Sequence, residues 1–143
     1  MTAKLWLEKF IDGHRMDTVL CIHGPQGSGK SILARMIASW CEAGDVFYPQ
    51  RTYFDGRFRG EEIAGKELVI IDEFIGRHAS QVKEWAANSR IGVIKRGVAP
   101  YIVENSASFV IIRDQEWIES GNRRIINCSV MEGFAILADI MSK

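Results

Sequence analysis

The sequence is short of several things, and each shortage narrows the choice of function. It carries no net charge, 18 Lys and Arg offsetting 18 Asp and Glu, so no global basic field draws in nucleic acid; such binding must come from a local cluster. Its 3 cysteines, Cys21, Cys41 and Cys128, are odd in number, far apart and never spaced C-x-x-C, which excludes a disulfide framework and a zinc ribbon. They read as thiols in a reducing compartment. No H-x-H or similar metal spacing involves the 3 histidines, and His14 and His23 read as structural. Apolar runs stay far below membrane-spanning length and no signal peptide opens the chain, so the expectation is a soluble, intracellular, cytoplasmic protein. There is no internal repeat or low-complexity tract. At 143 residues, 47% of them apolar, the chain suits one α/β domain with a substantial core.

What the sequence does have is Gly24-Pro25-Gln26-Gly27-Ser28-Gly29-Lys30-Ser31, which fits G-x-x-x-x-G-K-[ST] without mismatch. Thr18 to His23 reads as a strand before it, and residues 31–42 as a helix after it, with Ile32, Ala34, Met36, Ile37 and Trp40 facing inward. Glycines let the backbone curl around a polyphosphate with its N–H groups inward, and the helix adds the positive end of its dipole. In that reading residues 24–32, from Gly24 through Ile32, bind ATP. Lys30 is the cation for the β- and γ-phosphates, and the Ser31 hydroxyl completes the coordination of Mg²⁺. The plainer alternative is a glycine-rich turn before a helix.

A second anchor is Leu68-Val69-Ile70-Ile71-Asp72-Glu73. A run apolar on both faces suits a central parallel strand, and in an open α/β sheet ligands bind outside the carboxyl ends of the strands. Asp72 would then hold the Mg²⁺ hydration shell, and Glu73 would orient and deprotonate the attacking water. The competing reading is a strand exit capped by solvated acids.

The remainder follows the same period analysis. Residues 1–17 form a short amphipathic helix with Leu7, Phe10 and Ile11 on one face, and residues 18–143 the core domain. Residues 46–54 read as a strand interrupted by Pro49, and residues 57–65 as a surface connection. Residues 74–103 are the most basic part, with a helix at 79–87 and then a β-hairpin whose tip holds Lys95 and Arg96, suited to phosphodiester backbone or simply a solvated turn. Residues 108–113 are another buried strand, ending at Arg113-Asp114-Gln115, where Asp114 or Gln115 could meet a γ-phosphate. Arg123 and Arg124 open a last strand at 125–130, as arginine fingers toward a neighbouring subunit's nucleotide or as surface ion-pair partners. A closing helix at 132–141 turns Phe134, Leu137 and Met141 to one side.

Taken together, the chain resembles the ATPase core of superfamily 3 helicases, particularly those of Rep proteins from small circular DNA elements and of virulence-associated E-like plasmid and phage proteins. The motifs that carry the resemblance are the residues 24–31 loop, Phe54-Asp55-Gly56, the strand ending in Asp72-Glu73-Phe74, the basic Lys95-Arg96 and Gly121-Asn122-Arg123-Arg124. The resemblance implies an AAA+-like P-loop NTPase fold with a central parallel sheet flanked by helices. It also implies Mg²⁺-dependent ATP hydrolysis, a ring-shaped homo-oligomer, expected to be hexameric, and a hairpin that grips DNA, expected to be single-stranded. It places an arginine finger at Arg123 or Arg124. Gln115 stands where the family has the Asn of a Thr-Ser-Asn sensor. Two other functions remain open: a small P-loop kinase, disfavoured by the Asp72-Glu73 pair because a kinase must avoid activating water, and a nucleotide-switched module that binds or loads on DNA without unwinding it.

Overall fold

In the computed structural model the described residues are 1–50, 53–56, 59–72, 78–118 and 124–143. Four strands of five or fewer residues and one of six make a wholly parallel sheet: β1 (Val19–His23), β2 (Val46–Phe47), β3 (Leu68–Ile71), β6 (Ser108–Arg113) and β7 (Ile125–Ser129). The spatial order is β2-β3-β6-β1-β7. The helices are α1 (Ala3–Ile11), α2 (Lys30–Ala38), α3 (Ala79–Ala87) and α4 (Val130–Met141), and a separate antiparallel hairpin pairs β4 (Arg90–Val93) with β5 (Tyr101–Glu104). This is an α/β protein with a five-stranded parallel sheet flanked by helices.

The central strands are continuous apolar runs because each must be covered on both faces. Alternate residues divide them cleanly. Leu20, Ile22, Leu68, Ile70, Val110 and Ile112 pack with α1, α2 and α4 in one core; Val19, Cys21, Val69, Ile71, Phe109 and Ile111 pack with α3 and Phe54 in the other. Helix α1 belongs to the first core: Trp6 and Leu7 are fully buried, and Trp6 Nε1 donates to the Thr18 carbonyl at 3.0 Å, tying the helix to the entrance of β1.

Helix α3 has the bounds its sequence predicts, and its C-terminal end is held in a way the sequence does not announce. The Arg15 guanidinium donates to the carbonyls of Ala86 and Asn88, both at 2.9 Å, and the buried Asn105 amide donates to the carbonyls of Trp85 at 2.7 Å and Asn88 at 3.0 Å. Carbonyls at a helix's C-terminal end lack the N–H groups of a further turn, although Trp85 also accepts from Asn88 N–H at 3.4 Å, and a cation there meets the negative end of the dipole. Burial holds the Arg15 pKa below its ordinary value.

Several elements differ from expectation. Helix α2 stops at Ala38, four residues early, and its inward face is Leu33, Ala34, Ile37 and Ala38; Ile32 and Trp40 are exposed and Met36 half-buried. Leu33, Ala34, Ile37 and Ala38 share one i, i+3, i+4 face, which is the one packed on the sheet, and Ile32 and Trp40 fall off it. The 46–54 strand reduces to Val46–Phe47, with Tyr53–Asp55 a 3-10 turn after Pro49, because proline cannot donate to a ladder. Helix α4 begins at Val130, capped by the Ser129 hydroxyl; it buries Gly133, Ile136 and Leu137, with Phe134 half-buried and Met141 exposed. Ile11 of α1 is likewise only half-buried.

Candidate nucleotide site

Because all five strands run the same way, the carboxyl ends of β1, β6 and β3 lie side by side, and the chain leaving each carries a polar group to one edge. The loop after β1 is residues 24–29. Gly27 and Gly29 have φ of 79° and 97°, left-handed values that a side-chain-bearing residue takes only with strain, so glycine is required for this path. Gly29 caps α2 without a side-chain hydrogen bond, which leaves the first-turn N–H groups available to an external anion. The Ser28 hydroxyl, turned toward Gly24, is buried without a hydrogen-bond partner. Gly24 N–H donates to the Arg113 carbonyl at 3.3 Å, which fastens the loop to the end of β6.

Three contacts organise the edge. Lys30 Nζ donates to the Gly24 carbonyl at 2.6 Å, and at 2.9 Å it pairs with Asp114 Oδ1 from the residue after β6. The Ser31 hydroxyl donates to Asp72 Oδ2 at 3.2 Å, from the residue after β3. Lys30 is mostly covered, its side chain 12% exposed, whereas the Asp114 side chain is 78% exposed, so the cation is positioned and its carboxylate partner is free to turn. A hydroxyl and a carboxylate are what Mg²⁺ takes from a protein when phosphate oxygens and waters supply the other ligands. Among the described residues no group of three or more His, Cys, Asp or Glu forms a self-sufficient metal cage. A cleft of about 420 Å³ lies elsewhere, at the amino-terminal edge of the sheet, lined by Phe10, His14, Trp40, Cys41 and Glu67 among others.

The structure brings Lys30, Ser31 and Asp72 to one edge of the sheet. It puts exposed Gln115 one residue beyond the contact with Lys30, which Asp114 makes. Glu73 and Arg123 lie outside the described residues. Arg124 lies at the opposite edge of the sheet: its carbonyl accepts from Val19 N–H at 2.7 Å, at the start of β1, five strand residues or roughly 16 Å from the loop. An arginine side chain does not reach across that distance to the loop of its own chain.

Lys95 and Arg96 sit in the turn of the β4–β5 hairpin, both exposed. The turn is not a free arm. Ile94 and Arg59 exchange backbone hydrogen bonds at 2.9 and 3.1 Å, and Lys95 Nζ pairs with Glu61 Oε1 at 2.9 Å, which raises the Lys95 pKa. Tyr53 braces the same loop, accepting from Gly60 N–H at 2.7 Å and donating to Glu62 at 2.8 Å. Burial then pushes its own pKa up. A further bond, between the buried His78 ring and Asp55 at 2.7 Å, joins the aspartate of Phe54-Asp55-Gly56 to the start of α3. The sequence signals neither Asp114 as the lysine's partner nor His78 as that of Asp55; the first pair is 84 residues apart.

The family model of DUF5906, described as a family of unknown function, matches residues 22–124, well over half of the chain. The chain belongs to that family. No curated protein matches it in sequence. Among solved structures it is similar to the A form apo structure of the C-terminal region of NrS-1, with 17% identity and a TM-score of 0.66, covering 95% of this chain and 37% of that one. An apo structure of NrS-1 residues 305–718 gives 16% identity and a TM-score of 0.66, with 95% and 38% covered. The chain therefore spans little more than a third of these neighbours, and the likeness is one of fold. Among the described residues no helix is long and apolar enough to cross a membrane.

Proposed function

We propose that this chain is a P-loop ATPase of the superfamily 3 helicase type, hydrolysing ATP with Mg²⁺ to drive translocation on, or unwinding of, nucleic acid, with single-stranded DNA as the strand it holds. The observation that carries the reading is the convergence of Lys30, Ser31 and Asp72 on one edge of a parallel sheet, beside a glycine loop that opens α2. Bound Mg²⁺ would neutralise charge on the β- and γ-phosphates. Lys30 and the loop amides orient those phosphates, Ser31 and Asp72 hold the ion and its waters, and Glu73 takes the proton of the attacking water. Gln115 is the polar group left to contact that water.

The position of Arg124 supports an assembly. An arginine roughly 16 Å from its own loop serves hydrolysis only when it faces another subunit's nucleotide, so Arg123 or Arg124 acts in trans, in a ring of subunits proposed as hexameric. Lys95 and Arg96 are the nucleic-acid contacts, and as phosphate contacts they give affinity without base preference.

The docked hairpin tip favours one variation, a nucleotide-switched DNA-binding module in which Glu61 releases Lys95 without sustained unwinding. The deciding experiment is steady-state phosphate release across protein concentration, with and without single-stranded DNA, beside Glu73→Gln. A motor gives release per subunit that rises with concentration and DNA and is lost in the variant. ATP-dependent DNA binding with negligible release identifies the switched module, and release unaffected by Glu73→Gln contradicts the assignment.

A further inference from the structure

Asp114 is an acid placed where a phosphate-binding site gains nothing from one. Its carboxylate lies 2.9 Å from Lys30 Nζ, the cation on which the site depends, and Lys30 makes its other contact with the Gly24 carbonyl. A triphosphate and this carboxylate compete for one ammonium group. If both stayed, two anions would stand within about 5–6 Å of each other across it, and like charges at that separation repel appreciably even at the dielectric of a protein surface.

We propose that Asp114 is a positioning residue that holds Lys30 in the nucleotide-free protein, is displaced by the entering phosphates, and sets the site's discrimination between triphosphate and diphosphate. This rests on the reading of residues 24–31 as a phosphate loop. The displacement is confined by what surrounds it. On one side the Arg113 carbonyl is bound by Gly24 N–H; on the other, the Asn127 side chain accepts from Trp117 N–H at 2.9 Å and donates to the Trp117 carbonyl at 3.1 Å. Only Asp114, Gln115 and Glu116, all exposed, lie between these anchors. Within this fixed span the exposed Asp114 side chain turns away from Lys30 by rotation about its own bonds, beside Gln115. Lys30, in the proposed reading, serves the β- and γ-phosphates, and Asp114 shares that ammonium, so Asp114 opposes a triphosphate more than a diphosphate.

The test is the affinity of inorganic tripolyphosphate and of pyrophosphate, measured calorimetrically in EDTA, for the unaltered chain, Asp114→Asn, Asp114→Ala and Lys30→Met. Both Asp114 variants are expected to bind tripolyphosphate about three- to tenfold more tightly and pyrophosphate with a smaller gain. Unchanged or weaker binding in them, while Lys30→Met abolishes binding, overturns the proposal and leaves the phosphate loop standing. Tightening by Asp114→Asn alone assigns the gain to the new amide donor and also overturns it. Binding that survives Lys30→Met, or is absent throughout, removes the phosphate loop and the proposal together.

Discussion

The Ser31 hydroxyl and the Asp72 carboxylate meet at 3.2 Å although they follow strands that are not neighbours, β6 lying between β1 and β3. Only the parallel direction of all three strands puts both groups on one edge. In the proposed reaction this pair is the protein's share of the Mg²⁺ site. Ser31→Ala and Asp72→Asn are expected to lower Mg²⁺-dependent turnover by about a hundredfold or more, since a positioned metal supplies several kcal/mol of charge stabilisation. Nucleotide affinity measured in EDTA should change little. Phosphate release and EDTA binding, compared side by side, check this.

Helix α4 approaches α2 through Gly133. A Cβ added there would clash with Leu33 Cδ2, and Leu33 lies fully buried one turn after the glycine loop at 24–29. Gly133→Ala is expected to destabilise the fold by about 1–3 kcal/mol through overpacking. A thermal melt should show a drop of several degrees, with weaker nucleotide binding as α2 shifts.

The C-terminal end of α3 depends on Arg15 and Asn105. Asn105 is buried, and its removal takes one donor from each of the carbonyls of Trp85 and Asn88, which keep Arg15, and takes the acceptor from Ala107 N–H. Asn105→Ala is expected to cost about 1–3 kcal/mol, more than Asn88→Ala on the exposed surface beside it. Denaturant midpoints of the two variants make the comparison.

Burial pushes the Cys21 thiol up to about 11 and the Cys128 thiol to about 12; burial together with the Glu67 carboxylate pushes Cys41 to about 12. An acid whose pKa is raised by folding favours the fold while it is protonated in both states. That contribution is complete below pH of about 8.5, the unfolded thiol's pKa, and is lost as pH rises toward 11–12. Stability should thus be flat in this respect near neutrality and decline in alkali. Iodoacetamide at pH 8 should label the folded chain far more slowly than the urea-unfolded chain.

The ion pair between Lys95 and Glu61 withholds one cation from the hairpin's exposed turn. Glu61→Gln is expected to tighten single-stranded DNA binding modestly. Lys95→Ala and Arg96→Ala should weaken it about equally across sequences, each lowering the salt slope by about one. Binding titrated against salt on two unrelated oligonucleotides reads both effects.

Much of this protein was legible before its structure. The runs 68–71 and 108–113 read as strands covered on both faces, the glycine loop marked the sheet edge where Ser31 and Asp72 meet, and the 79–87 period gave α3 its bounds. The inward face of α2 differs from the expected one because apolar residues occur on more than one side of this helix, and only the 33, 34, 37, 38 face meets the sheet, leaving Ile32 exposed. Arg15, Asn105, His78 and Asp114 were illegible as partners for another reason. Each bonds to a group far away in sequence, and polar pairing across a fold leaves no period to read.

Whether residues 24–31 and Asp72 bind a nucleotide is read by equilibrium titration of ATP with Mg²⁺ on the unaltered chain and on Lys30→Met. Saturable binding that is lost in the variant, with the melting temperature of the unliganded variant unchanged, is the result expected. Absence of binding by the unaltered chain, or equal binding by both, would contradict the account.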